Sequence, residues 1–237
     1  HEGRSFREYY DITSEDYCRL LESSSEIPGT AMTTPTVFLE SYNRAFERGC
    51  THLLAVLFNG GGSGTYQAAC LAKSMFEEEQ GEGKMTIEVI DSNCYTVGYG
   101  YPLMQACKKA QQGAEFEEVV AYIRDYLDRV RIHFSPFTLQ YVKKSGRVSC
   151  TAAFVGELIG LRPVISAVGT TSVVEKVRGN AAILSSMEKI FAAQRSKKQE
   201  NAPYMILVAR DTPASQELAA ACEKIAGYPP VGIYKIG

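Results

Sequence analysis

Apolar and polar residues alternate along this chain with two periods, and their order sketches the fold. The run Thr51 to Phe58 is apolar and β-branched, as in a buried strand, and Met85 to Ile90 alternates like a second one. Between them, Ala68, Leu71, Ala72, Met75 and Phe76 recur at helical spacing, which predicts a helix over Ser63–Glu79 before a polar loop to Lys84. Further helices are predicted over Ser14–Leu21, behind a Thr13 or Ser14 cap, and over Thr36–Glu47, with Thr34 as N-cap and Pro35 at the first helical position. Two more follow over Gly98–Gln112 and Ala114–Arg131, separated by Gly113; the second carries Phe116, Val119, Val120, Ile123 and Leu127 on one stripe. Strands alternating with helices favour a mostly parallel sheet wound with helices.

From about Val130 the texture changes. A strand over Val130–Phe134 leads to a short helix, Pro136–Lys144, a turn at Ser145-Gly146-Arg147 and a second short helix, Ser149–Ile159. Strands are then expected over Leu161–Gly169 and Val173–Gly179, a helix over Asn180–Gln194, and a polar surface connection over Ala192–Ala202. A strand at Tyr204–Ala209, a helix at Thr212–Ala226 behind a Thr-Pro cap and a strand at Pro230–Ile236 complete the reading. The expected fold class is α/β in two domains: residues 1–129, mostly parallel, and residues 130–237, a smaller mixed α/β unit.

The stretch Asn59-Gly60-Gly61-Gly62-Ser63-Gly64-Thr65-Tyr66-Gln67 joins the first strand to its helix. Glycines there let another group approach the main chain, Ser63 is placed to cap the helix, and the unpaired N–H groups of the first turn favour an anion. It is not a nucleotide P-loop, because Thr65 and Tyr66 stand where that loop needs a lysine. Nor does it fit a nucleophile elbow, which needs glycine at position 65 and a histidine downstream of His133. A phosphate or a carboxylate remains open, beside a ligand-free capped turn. Asp91 and Ser92 close the second strand, at the sheet edge where open α/β folds bind ligands, though Asp91 equally suits a brace for the turn. The hydroxyl-rich loop Ser23–Pro35 serves either capping or donation to an anion.

Composition narrows the partners. The 237 residues are 45% hydrophobic with a net charge of −2, and the isoelectric point is near 6.0. That gives no basic field for nucleic acid. No run reaches the length of a membrane span, so stable membrane insertion is not expected, and the first residues do not resemble a signal peptide. Seven cysteines without a CxxC pair suit reduced thiols in a cytoplasm, Cys70 and Cys107 reading as small buried hydrophobes. Three histidines, at 1, 52 and 133, give little support to a metal site.

Several segments together resemble the DegV fatty-acid-binding proteins. They are the hydroxyl loop Thr30–Pro35, Ser63-Gly64-Thr65-Tyr66-Gln67, Asp91-Ser92 with Gly98-Tyr99-Gly100, the stretch Thr138–Ser149, Arg162-Pro163-Val164, and Lys176-Val177-Arg178-Gly179. Their order and spacing span nearly the whole chain. The resemblance implies a cytoplasmic bacterial lipid carrier without catalytic residues, metal or cofactor, which binds one long-chain fatty acid in an apolar tunnel. Members that serve a fatty acid kinase present the carboxyl for phosphorylation, which makes such a kinase an expected partner. Thr30, Ser63 and Gly64 map onto the head-group contacts, with Arg178 as the nearby positive charge by analogy. The candidate ligand-binding residues are thus Thr30, Gly62, Ser63, Gly64, Asp91, Ser92 and Arg178. The rival reading is an enzyme acting on a small phosphorylated or carboxylated substrate in a polar pocket of Asp91, Ser63 and Arg178.

The chain departs from the family pattern in four places. Thr30-Ala31-Met32-Thr33 replaces the usual Thr-Ser-Gln-Pro, and Asn59-Gly60 replaces paired serines. It also begins after the usual opening strand and ends before the usual His-x-Gly-Pro-Gly segment, as expected either of a fragment or of a sequence given without its ends.

Overall fold

In the computed structural model, residues 5–7, 10–24, 27–139, 160–195 and 201–236 are described. Their contacts fall into two units: Ala31–Ile132 with Ala167–Thr171, and His1–Thr30, His133–Ser166 and Ser172–Gly237. The class is mixed α/β, as the periodicities predict, with seven helices among the described residues.

The first unit is organised on two parallel strands, β1 (His52–Leu57) and β2 (Thr86–Asp91), paired from His52 opposite Thr86 to Leu57 opposite Asp91. Both faces of this pair carry packed apolar side chains, which explains why β1 reads as a near-continuous apolar run, whereas β2 alternates with the polar Thr86 and Glu88. On one face Leu53, Ala55 and Ile87 pack with Leu39 and Tyr42 of α2 (Pro35–Glu47) and Ala72 and Phe76 of α3 (Thr65–Gln80). On the other, Leu54, Val56 and Ile90 meet Ala106 of α4 (Val97–Gln111) and Val119, Ile123 and Leu127 of α5 (Phe116–Arg129). The period-2 alternation of side chains assigns Leu53 and Ala55 to one layer and Leu54 and Val56 to the other. Phe76 is fully buried and meets Phe46 edge-on, with ring centroids 5.6 Å apart.

Helix boundaries follow local chemistry. Gly81 ends α3 with φ +98°, so that helix runs past the expected stop at Glu79, and Gly113 separates α4 from α5 with φ +91°. Thr34 is the N-cap of α2, but its hydroxyl makes no capping bond and lies 3.2 Å from that of Thr36. Glu115 and Glu118 form a reciprocal capping box at the start of α5.

In the second unit, α1 (Ser14–Ser23) starts at a Thr13–Asp16 capping box. Its Glu15 pairs with Lys235 at 3.1 Å and its Glu22 with Arg210 at 2.7 Å. A three-stranded antiparallel sheet runs β3–β4–β5 (His133–Phe134, Leu161–Ser166, Ser172–Arg178). A parallel pair, β6 (Met205–Val208) and β7 (Gly232–Lys235), packs with α7 (Pro213–Ala226) through Tyr204, Ile206, Val208, Ala219 and Cys222. The intervening helix α6 (Asn180–Arg195) ends in Arg195, whose guanidinium lies 4.8, 5.0 and 5.2 Å from the ring centroids of Phe191, Tyr204 and Tyr228. Such stacking holds a cation against apolar surface.

Three expectations need correction. The helix expected from Pro136 is not formed over Pro136–Leu139, where no ladder or helical bond fixes the backbone after β3. The strand expected over Val130–Phe134 shrinks to His133–Phe134, because Val130 instead caps α5, its N–H donating to Leu127 O. Among the described residues the buried cysteines are Cys94 and Cys222, whereas Cys107 is exposed and Cys70 half-buried. The buried line of α4 runs through Pro102 and Ala106, and Cys107 lies one residue, about 100°, round from it. The expected elements over 140–159, including Gln140–Ser149 and the helix Ser149–Ile159, and the connection over 196–200 lie outside the described residues.

Candidate functional site

The glycine turn follows the last residue of β1 and is fastened to the loop after β2. Ser92 N donates to Leu57 O at 2.9 Å, and Asn59 N donates to Cys94 O at 2.9 Å. Asp91 is a brace: its Oδ1 accepts Gly60 N at 3.0 Å and Asn93 N at 2.9 Å. This ties the ends of two neighbouring parallel strands together at their carboxyl edge. Ser92 is turned inward, 2% exposed, its hydroxyl exchanging hydrogen bonds with the backbone of Cys94 at 3.3 Å.

Ser63 is half-buried and acts from one position further out than a usual cap. Helix α3 begins at Thr65 with Gly64 at the N-cap. Ser63 Oγ accepts Thr65 N at 3.2 Å and lies 2.8 Å from Thr65 Oγ1. Two hydroxyls thus stand together at the positive end of a 16-residue helix. The remaining N–H groups of its first turn have no partner within the helix and are free, by geometry, for solvent or an anion.

The glycines themselves are explained by close approach. A Cβ at position 60 would come within 2.5 Å of Asp91 Oδ2. At position 62 it would collide with the Tyr95 hydroxyl, and at position 64 it would lie 2.7 Å from Met32 Sδ. The chain's own carboxylate, phenol and thioether therefore rest on the three glycines. Asp91 and the turn residues Gly62, Ser63 and Gly64 are brought together in one unit. Thr30 is exposed at the end of the hydroxyl loop, and Arg178 is exposed at the end of β5, opposite Leu161; both belong to the second unit.

Sequence reasoning missed the hub of this arrangement, Asn59. It is 2% exposed, and its Nδ2 donates to Gly169 O at 2.6 Å and to Tyr95 Oη at 3.2 Å, while its Oδ1 accepts Gly61 N at 2.9 Å. Gly169 N donates in turn to Asn93 O at 2.6 Å, so residues 167–171, which join β4 to β5, are stitched to the turn. The signal was there in the departure from the family pattern, since an amide makes bonds to three segments where a serine hydroxyl reaches fewer. Burial pushes the neighbouring Cys94 thiol up to about 11, with a partial offset from its hydrogen bond to Ser92.

A cleft of about 380 Å³ lies between β2 and α5 and includes Glu88, Phe116 and Arg124. Another, of about 430 Å³, lies between the starts of α6 and α7 and includes Leu184, Glu188 and Glu217. Neither is lined by a residue of the glycine turn. Among the described residues, no group of three or more His, Cys, Asp or Glu side chains is placed to hold a metal, and no helix is long and apolar enough to cross a membrane.

In open α/β folds, the carboxyl edge of a parallel sheet, where a strand turns into its helix, is the place at which ligands are bound. The chain belongs to the DegV family: the family described as "Uncharacterised protein, DegV family" matches residues 1–237. A DegV domain-containing protein of Caldanaerobacter subterraneus is 30% identical over 182 residues, a match that takes in 75% of this chain and 61% of the relative. The chain thus spans less than two thirds of that relative's length. Among solved structures, a fatty-acid-binding DegV family protein from Streptococcus agalactiae superposes with a TM-score of 0.87 at 22% identity, covering 100% of this chain and 81% of that one. A fatty-acid-binding DegV protein from Thermus thermophilus gives 0.83 at 26%, covering 98% and 80%. The fatty acid kinase B3 protein of Streptococcus pneumoniae, loaded with linoleic acid, gives 0.77 at 23%, covering 95% and 78%.

Proposed function

We propose that this chain binds one long-chain fatty acid, with the carboxylate at the Ser63-Gly64 turn and the alkyl chain in an apolar tunnel. It acts as a cytoplasmic lipid carrier without catalysis or cofactor of its own and presents its ligand to a fatty acid kinase. The observation that carries the reading is membership of a family in which several solved proteins are described as binding fatty acids. The turn supports it: paired hydroxyls and open N–H groups suit a carboxylate, which needs several donors once it leaves water but no full counter-charge. Gly62 belongs to the turn of the proposed site, and Asp91 and Ser92 to its support.

Affinity comes from the tail. Each buried methylene contributes roughly 0.8 kcal/mol, so a palmitate-length chain supplies on the order of 10 kcal/mol before ordering costs. The head site fixes orientation. Calorimetric titration of delipidated protein with palmitate and oleate tests the proposal. Saturable binding at one site is expected, and an absence of heat with both acids, together with no acid extracted from freshly purified protein, rejects it.

A further inference from the structure

The side chain of Met32 lies directly on the turn. A Cβ at position 64 would sit 2.7 Å from Met32 Sδ and 3.5 Å from its Cε, so the thioether rests against the Gly64 Cα at the start of α3. Gly64 itself has φ −72° and ψ 5°, angles open to any residue. The space a side chain would take at position 64 is held by Met32, and the backbone there does not itself require glycine.

The side chain that rests there is nevertheless 52% exposed. A large apolar group held against a polar helix start, with half its surface left to water, is covered only when something apolar lies over it. We infer that Met32 is a specificity-determining residue, an apolar cover over the helix start that favours a carboxylate bearing an alkyl chain over a small hydrated anion. The inference rests on the fatty-acid reading of the same turn.

A thioether donates no hydrogen bond and is a weak acceptor, so it adds nothing to the grip on a carboxylate. It keeps water from part of the turn, and an anion entering beside it gives up hydration there. Inorganic phosphate or acetate has no methylenes to lay against the sulfur and gains no compensation. The first methylenes of a fatty acid do, through dispersion and burial of the exposed half of Met32. Three rotatable bonds and a polarisable sulfur let the side chain adapt to the acid as it enters. A glutamine at this place would instead offer a donor to any anion.

Displacement of a fluorescent fatty acid by palmitate, acetate and inorganic phosphate, in wild type, Met32→Gln and Met32→Leu, tests this. Met32→Gln is expected to weaken palmitate by roughly tenfold and to narrow its margin over phosphate and acetate, since about two methylene equivalents of burial are lost. Met32→Leu restores most of the loss. Unchanged melting temperatures would show that the effect is on binding. Equal palmitate affinity and equal selectivity in wild type and Met32→Gln would overturn the role of Met32 while leaving the fatty-acid reading intact. A wild type that binds no fatty acid would sink both, and is distinguished by its own titration.

Discussion

Asp91, the last residue of β2, accepts the N–H of Gly60 at 3.0 Å, and its second oxygen lies against the Gly60 Cα. The carboxylate is also held by Asn93 N at 2.9 Å and has little room to retreat. Asp91→Ala should therefore cost about 1–3 kcal/mol through the stranded N–H groups. Gly60→Ala should cost a similar ~1–3 kcal/mol, because the new methyl meets a fixed carboxylate. Gly64→Ala meets only the end of a flexible methionine and should cost less than about 1 kcal/mol. Urea unfolding of the three variants checks the ranking, and Gly64→Ala proving the most damaging would refute it.

Asn59 joins the glycine turn, Tyr95 and the β4–β5 connection through one buried amide. Replacement by alanine leaves Gly169 O and Gly61 N without these partners and opens a small void, a loss of roughly 2–4 kcal/mol. Hydrogen exchange should locate it: the amides of Gly61 and Gly169 should lose protection in Asn59→Ala while those of β6 keep theirs. Uniform loss across both units would contradict so local a role.

The parallel pair, its two layers of helices and the capped starts of α1 and α7 were legible in the sequence because each is dictated locally. Thr13 with Asp16 and Thr212 with Ser215 form capping boxes within four residues of chain. The Leu53 to Val56 run shows both buried faces directly. What could not be read was long-range. Nothing local marks Gly169 as a partner of Asn59, 110 residues earlier, or Met32 as the occupant of the space at Gly64. Cys107 was misjudged for the opposite reason: an alanine-rich neighbourhood signals a helix but not which of its faces is buried.

Burial holds the Cys94 thiol neutral, its value rising from the ordinary 9.0 to about 11. Below about pH 9 the thiol is protonated in both folded and unfolded chains, so the stabilisation is fully present. Between about 9 and about 11 the unfolded thiol ionises while the folded one does not, and stability falls as pH rises. The loss is on the order of 2 kcal/mol. Cys222, also pushed up to about 11 by burial, acts in the same direction. Urea midpoints at about pH 8 and about pH 10.5 should drop less in Cys94→Ala than in wild type; identical drops would count against this assignment.

Ser63 and Ser92 give a sharp contrast for the proposed ligand. Ser63 stands half-buried beside Thr65 at the helix start, whereas Ser92 exchanges its hydrogen bonds with Cys94 inside the protein. Ser63→Ala should weaken palmitate by roughly tenfold, the worth of one hydrogen bond to a charged group. Ser92→Ala should chiefly lower stability. Comparable affinities for the two variants in a displacement assay would refute the ranking.

The most direct test of the account is a crystal structure of the protein grown with palmitate. Elongated density is expected, its carboxyl end within hydrogen-bonding distance of Ser63 Oγ or the N–H groups of α3 and its tail enclosed by apolar side chains. A turn occupied only by water, with palmitate absent or bound elsewhere, would contradict the assignment of this site.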